Sequence, residues 1–548
     1  MLLVILRKFL VLCIYFASVT KGANVTLKVG RGQIIGSQVP GSPVEFFGGI
    51  PFAKPPVGNL RLKPAVLTTA LPNETFDATQ FGLSCLQKGF TIAPSAMSED
   101  CLTLNIFRPA GASTNDKLPV LLWIYGGMCT GSSSLYNATS LVTKSLERGT
   151  PVIYASVNYR LGPLGFPQGT EAGSRGALNL GLKDQLTALE WMQVNIGAFG
   201  GDKSKITIFG QSAGATSITI HLLGDAISKL ARGAIIESNV AAPAFPPEKN
   251  QASWQSFVTS TPGCSSVANT SDTFDCLQTA SQVAVMQGFL EMPGGSFGAT
   301  IDGPGGILPD IPSNLEPKAR FPLITGSVKD EFTLFTSQTI NSTEEIRQGL
   351  NNSFSPSARG EEALTETIEK ILELYPDIPA LGSPFGTGND TFGLSSQYKR
   401  SAAIEGDILV QVPRRLASQQ KSKTGVKIFS YLFTDPDAVP MSVLVSTNPP
   451  PAAVTHTSEI PYVYGTLKNI TDTAVSLSQM MQDYWISFTV SLNPNDGKGG
   501  KRPNWAQYTP NSEVVLRLDG RDGVKLIQDN FRAKVMAFLS SDPAVFDQ

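Results

Sequence analysis

Short apolar runs rich in β-forming residues recur along the chain. They are Pro119–Tyr125 (PVLLWIY), Pro151–Val157 (PVIYASV), Lys205–Phe209 (KITIF) and Phe321–Val328 (FPLITGSV). Runs of this length and composition read as strands buried inside a sheet. Between them lie segments with helical periodicity, such as Leu178–Asn195, and Leu477–Phe488 follows near the C-terminus. Strands alternating with helices predict an α/β fold: a large, mostly parallel central sheet with helices on both faces. From Asn341 to Arg415 the pattern changes. Helical patches mix there with loops such as LGSPFGTGNDTFG, and the region reads as helical excursions over the sheet.

The first residues follow a different order. Arg7 and Lys8 precede an apolar run from Phe9 to Val19, and small and polar residues come next. A run that short does not comfortably span a bilayer. The order predicts a secretory signal over residues 1–22, cleaved near Gly22, with a signal anchor as the alternative. No later stretch reads as a membrane-spanning helix, so no integral membrane association is expected. Sequons at Asn24, Asn73, Asn137, Asn269, Asn341, Asn351, Asn389 and Asn469 fit a glycosylated, secreted, extracellular protein. Once Cys13 leaves with the signal, Cys85, Cys101, Cys129, Cys264 and Cys276 remain. The odd count leaves at least one thiol unpaired. Cys85–Cys101 and Cys264–Cys276 are natural short loops, other pairings stay open, and Cys129 is then the free cysteine.

Composition narrows the function classes. Among 548 residues, 41% are hydrophobic and 16% charged, enough apolar material for a large core. With 43 basic and 45 acidic residues there is no basic field to attract nucleic acid. Only two histidines occur, and no C-x-x-C pair, so no metal site is expected.

The scarcity of histidine makes the chemistry easier to follow. G-x-S-x-G occurs twice, at Gly210–Gly214 and at Gly294–Gly298, and in a chain with 51 glycines the bare motif is weak evidence. Context separates the copies. Ser212 follows the strand KITIF and precedes the helix-like ATSITIHLL, the strand–turn–helix setting that exposes a serine hydroxyl above a sheet. Ser296 has no strand before it and is assigned to a loop. A serine hydroxyl needs a base to act as a nucleophile. His221 lies nine residues along the same helix, a rise of about 13.5 Å, which takes its ring out of reach. Elimination leaves His456. An acid should orient that imidazole, and the strand FPLITGSV runs straight into Asp330 and Glu331, either of which fits. The chain order is then Ser, acid, His. Upstream, PVLLWIY ends in Tyr125-Gly126-Gly127-Met128-Cys129, where glycines allow the close backbone approach of an oxyanion loop.

Together these segments resemble the type-B carboxylesterase/lipase family, which includes cholinesterases, fungal lipases and sterol esterases. The resemblance rests on FGGIPFAKPPVGNLRLKP, SEDCLTLNIFRP, NYRLGPLGF, NLGLKDQLTALEWMQVNIGAFGGD, FGQSAGATS, GSVKDEFTLF, HTSEIPYVYG and YWISFTVSLNPN. It implies one α/β-hydrolase domain over residues 23–548 and a serine carboxylic ester hydrolase without cofactor. It also implies Ser212 as nucleophile, His456 as base, and Glu331 rather than Asp330 as acid. The oxyanion donors would be the N–H groups of Gly127, Met128 and Ala213. It supports the disulfides Cys85–Cys101 and Cys264–Cys276 and the ion pairs Arg61–Glu99 and Arg160–Asp184. The chain departs from the family pattern at Met128, usually glycine; at Cys129, usually aromatic; at Gln211, often Glu; and at Phe332, usually glycine.

The partner implied is a small-molecule or lipid-like ester. Only 15 residues, LQKGFTIAPSAMSED, separate Cys85 from Cys101, where fungal lipases of the family carry a long amphipathic flap. A broad carboxylesterase is therefore the expected activity. Long-chain lipase, sterol ester, feruloyl ester and carotenoid ester hydrolysis are the alternatives. A non-catalytic cholinesterase-like adhesion protein and a serine peptidase are the rivals from other classes. Oligomeric state is left open.

Overall fold

The structure is a computed structural model that describes residues 22–88, 92–127, 130–441 and 453–548. Residues 1–21 of the sequence-predicted signal, Met128 and Cys129 lie outside the described residues.

One sheet of 13 strands organises the chain. Its strands are β1 (Asn24–Val29), β2 (Gly32–Gln38), β3 (Val44–Pro51), β4 (Thr75–Asp77), β7 (Thr103–Pro109), β8 (Leu118–Ile124), β9 (Ile153–Val157), β10 (Gly201–Gln211), β11 (Gly233–Glu237), β12 (Leu323–Val328), β13 (Ile428–Phe433), β14 (Val514–Leu518) and β15 (Lys525–Gln528). The short strands β5 (Ser84–Cys85) and β6 (Met97–Ser98) pair with each other apart from it. The spatial order is β1-β2-β3-β7-β9-β8-β10-β11-β12-β13-β14-β15, with β4 alongside β2. From β9 to β14 every pairing is parallel. The flank β1-β2-β3-β7-β9 and the last pair β14-β15 are antiparallel. The sheet is thus mixed, parallel where the sequence shows its apolar runs and antiparallel at its flanks.

The reason is burial. Strands β9, β11 and β12 are buried at every position, so they are apolar on both faces. Strand β1 alternates exposed and half-buried positions at the sheet edge, and its sequence NVTLKV alternates accordingly. Trp123 on β8 and Phe209 on β10 meet with ring centroids 4.5 Å apart, and Tyr464 packs edge-on against Trp123.

The region after β12 forms the expected helical excursion. Helices Thr343–Phe354, Glu361–Leu374 and Ser396–Gly406 bury Ile346, Leu350, Leu364, Ile368 and Ile404 in a second apolar cluster. Met536, Leu539 and Phe546, near the C-terminus, join it. Tyr398 ties this layer to the sheet end by donating to the Thr333 carbonyl at 2.6 Å.

Both short disulfides form, Cys85–Cys101 and Cys264–Cys276. Arg61 joins the first loop to the chain just after the second: it donates to Glu99 at 2.6 Å and to the carbonyls of Ala280, at 2.8 Å, and Leu277. Arg160 and Asp184 pair at 2.6 Å. Of the eight sequons, Asn351 is half-buried and the other seven asparagines are exposed.

Candidate active site

Ser212 is the single residue between the end of β10 and the helix Ala213–His221. Its backbone has φ 58° and ψ −127°, a conformation that non-glycine residues rarely adopt and that costs energy. Neighbours hold it there. The Ser212 N–H donates to the Glu237 carbonyl at 3.0 Å, and its own carbonyl accepts from Thr216 N at 2.9 Å. The flanking glycines are required by close approach. A Cβ on Gly214 would lie 2.0 Å from the Ile124 carbonyl oxygen, and one on Gly126 would lie 2.8 Å from Ser212 Cβ. The second G-x-S-x-G has no such setting, because residues 294–298 carry no helix or strand.

His456 lies in a segment, residues 455–459, that is wholly buried. Its Nδ1 faces Glu331 Oε2 at 2.6 Å. The other Glu331 oxygen accepts from Val328 N at 2.8 Å, which fixes the carboxylate against the end of β12. His456 Nε2 faces Gln211 Nε2 at 3.0 Å, and this contact brings the imidazole to the end of β10, next to Ser212. The Phe335 ring stands edge-on to the imidazole at 5.3 Å, is 45% exposed, and packs with Phe332 at 5.4 Å. The Phe332 departure thus adds a second aromatic ring to the Phe335 side of His456.

Asp330 and Glu331, indistinguishable by position in the sequence, meet different partners. The Asp330 carboxylate is fully buried. It accepts from Val454 N at 3.0 Å, Phe385 N at 2.8 Å and Ser383 Oγ at 3.1 Å. Its own N–H donates to the Val454 carbonyl at 2.9 Å. It therefore clamps the histidine segment to the end of β12. Burial raises its pKa, opposed by the Lys329 ammonium and by these hydrogen bonds.

The segment expected to form the oxyanion loop follows β8. Gly127 adopts φ 105°, and a Cβ there would fall 2.1 Å from the Thr130 carbonyl oxygen. Gln87 grips the far end of the loop, accepting from Gly131 N at 2.7 Å and donating to its carbonyl at 2.9 Å. Ala213 is the first residue of its helix, so its N–H has no partner within the helix and lies at the positive end of the helix dipole. Met128, the third donor implied by the resemblance, is outside the described residues.

His221 is buried at the far end of the helix that starts at Ala213, where its Nε2 meets Gln185 Oε1 at 2.8 Å. Burial without a charged partner pushes its pKa down to about 4. It takes no part in the site.

The sequence reading missed two carboxyls behind the imidazole. Glu237 ends β11 and is the register partner of Gln211. Its Oε1 accepts from Trp485 Nε1 at 2.6 Å, its Oε2 has no partner, and burial pushes its pKa up to about 8. Glu459, three residues after His456, meets Ser238 Oγ at 3.4 Å and also has an unpartnered oxygen. Burial first, and then the fields of Glu237 and Glu331, raise its pKa well above the usual carboxyl range. A lone charged residue ending the apolar strand GAIIE was the signal available for Glu237. Among the described residues no cluster of His, Cys, Asp and Glu is placed to hold a metal ion.

Comparison with known proteins assigns the fold and the reaction class. The carboxylesterase family profile matches residues 21–539. The chain is 33% identical to the secreted triacylglycerol lipase LIP1 of Gibberella zeae, covering 95% of this chain and 91% of that protein. It is 35% identical to secreted lipase 1 of Botryotinia fuckeliana (93% and 91%) and 32% identical to lipase 1 of Geotrichum candidum (96% and 97%). The crystal structure of Aspergillus niger EstA superposes with a TM-score of 0.80 at 26% identity, covering 96% of this chain and 99% of that one. No helix among the described residues is long and apolar enough to cross a membrane. With a family profile over nearly its whole length, lipase relatives above 30% identity and an α/β-hydrolase fold, the chain belongs to the carboxylesterase family and is a carboxylic ester hydrolase.

Proposed function

We propose that the protein is a secreted serine esterase in which Ser212, His456 and Glu331 are nucleophile, base and acid. The observation that carries this reading is the buried His456–Glu331 pair at 2.6 Å, brought to the end of the strand whose next residue is Ser212. Glu331 accepts a hydrogen bond from Nδ1–H, which keeps the ring hydrogen on Nδ1 and leaves the Nε2 lone pair as the base. Ser212 Oγ attacks the ester carbonyl while Nε2 accepts its proton. The N–H groups of Gly127, Met128 and Ala213 stabilise the oxyanion. The imidazolium then protonates the leaving alcohol, and a water activated by His456 hydrolyses the acyl-serine. Residues 1–22 are the cleaved signal, residues 23–548 form one hydrolase domain, and the sequons are glycosylation sites.

The substrate class is a broad range of soluble carboxylic esters. The short Cys85–Cys101 loop supports it, because it carries too little chain for a long amphipathic flap. The names of the fungal relatives favour a second reading, triacylglycerol hydrolysis. Initial rates on p-nitrophenyl esters from acetyl to palmitoyl, with Ser212→Ala as control, separate the two. A short-chain maximum is expected. A long-chain maximum replaces it with the lipase reading, and full activity in Ser212→Ala removes the assigned nucleophile.

A further inference from the structure

The hydrogen bond at His456 Nε2 is with Gln211, the residue before the serine. Its direction follows from the other side of the ring. Nδ1 lies 2.6 Å from a carboxylate oxygen, so the ring hydrogen is on Nδ1 and Nε2 carries the lone pair. A nitrogen 3.0 Å from that lone pair must be the donor, so the Gln211 amide donates to the atom that is to take the serine proton.

We propose that Gln211 is a positioning residue: it holds the neutral imidazole through Nε2 in the resting enzyme and gives up that atom to Ser212 when an ester is bound. The proposal rests on the reading of Ser212, His456 and Glu331 above. Three features support it. Gln211 is 1% exposed, and β10, which it ends, is paired on both sides by β8 and β11, so the amide projects from a fixed backbone. An amide can serve both forms of the ring. It donates through its nitrogen to neutral imidazole and, turned over, accepts through its oxygen from imidazolium. An ionised carboxylate at the same place could only accept and would favour the cation, which is not a base.

The third feature is the number of carboxyls already enclosed there. Glu331 on the turn after β12, Glu237 on β11 and Glu459 on the histidine segment all act on one another or on Tyr431 of β13 in the same buried region. Lys329 pairs with Asp330, on which Lys399 and Arg532 also act. A fourth carboxyl at 211 would add to a region that already holds two carboxyl oxygens without partners. A neutral amide orients the ring without adding charge.

The test uses the full-length secreted protein with isotope-labelled histidine. Only two histidines occur, so two sets of ring-nitrogen resonances are expected, and His221→Asn identifies which is His456. The proposal expects the resting Nε2 resonance to stay in place in Ser212→Ala and to move in Gln211→Met, which keeps the length but loses the donor. It also expects Gln211→Glu to move the acid limb of kcat/KM for a soluble p-nitrophenyl ester upward by about one pH unit. That is about a tenfold loss well below the limb. A resonance that moves in Ser212→Ala and not in Gln211→Met overturns the proposal, and so does an acid limb that stays or moves downward. If Gln211→Met does not fold, wild type against Ser212→Ala decides. The ring spectrum needs no turnover, so failure here is distinct from failure of the serine-esterase reading, which the activity of Ser212→Ala reports.

Discussion

The two histidines are both buried and both hydrogen-bonded to a glutamine, yet their settings differ. His221 ends a helix, faces the amide oxygen of Gln185 and has no charged partner, so burial alone drives it toward the neutral form. His456 sits in an irregular segment tied to a strand end, with a carboxylate on one ring nitrogen and an amide nitrogen on the other. Burial makes a histidine inert when its partner only satisfies a hydrogen bond. A carboxylate that can stabilise the cation, next to an unusually held serine, makes it a candidate base.

The largest test of this contrast is kinetic. His456→Ala should lower kcat/KM on p-nitrophenyl esters by several orders of magnitude, whereas His221→Asn should leave it within severalfold. Equal losses would place His221 in the chemistry. Glu331→Gln keeps the shape but removes the charge, and a loss of about 10²–10⁴-fold is expected from turnover at neutral pH. Asp330→Asn separates clamp from acid. It should cost about 2–4 kcal/mol in stability by denaturant unfolding, through the buried N–H groups of Val454 and Phe385, with a smaller kinetic loss than Glu331→Gln. A larger kinetic loss would exchange the two roles.

The smallest effects are in stability against pH, and they have opposite signs. His221 has a folded pKa near 4 against 6.5 when free, so the native state binds fewer protons between these values. Its contribution is present above pH 6.5 and is lost as pH falls toward 4. Glu237 is raised from 4.5 to about 8, so its contribution is present below pH 4.5 and is lost as pH rises toward 8. Melting temperatures across pH should flatten on the acid side in His221→Asn and on the alkaline side in Glu237→Gln. An unchanged alkaline slope in Glu237→Gln would mean that this carboxyl is ionised in the native state at neutral pH.

Much of this arrangement was legible in the sequence, for physical reasons. The parallel strands β8, β9 and β12 and the second half of β10 are buried, so they must be apolar runs, and such runs stand out. The antiparallel flank from β1 to β7 did not stand out as a unit. Its edge strands are half-exposed, and its pairings are contacts that no local pattern announces. Ser212 was legible because a strand, a glycine-flanked serine and a helix adjoin in the chain. His456 was legible because only two histidines existed to choose from. Asp330 and Glu331 could be told apart only by family resemblance, since their side chains diverge at a turn whose geometry is set by residues 383–385 and 454. Glu237 and Glu459 escaped notice because a carboxylate in sequence looks solvated, and only the fold shows that these two are enclosed.

The proposed nucleophile, acid and base follow β10, β12 and β13, at residues 212, 331 and 456, with the helical excursion inserted between the last two. Each closure spans more than a hundred residues, and the segment that carries His456 is tied to the end of β12 by the hydrogen bond from Val454 N to Asp330. A chain still emerging from the ribosome through residue 400 has the serine and the carboxylate but no base. On the proposed roles, hydrolytic power therefore arrives late in synthesis, once residue 456 has emerged.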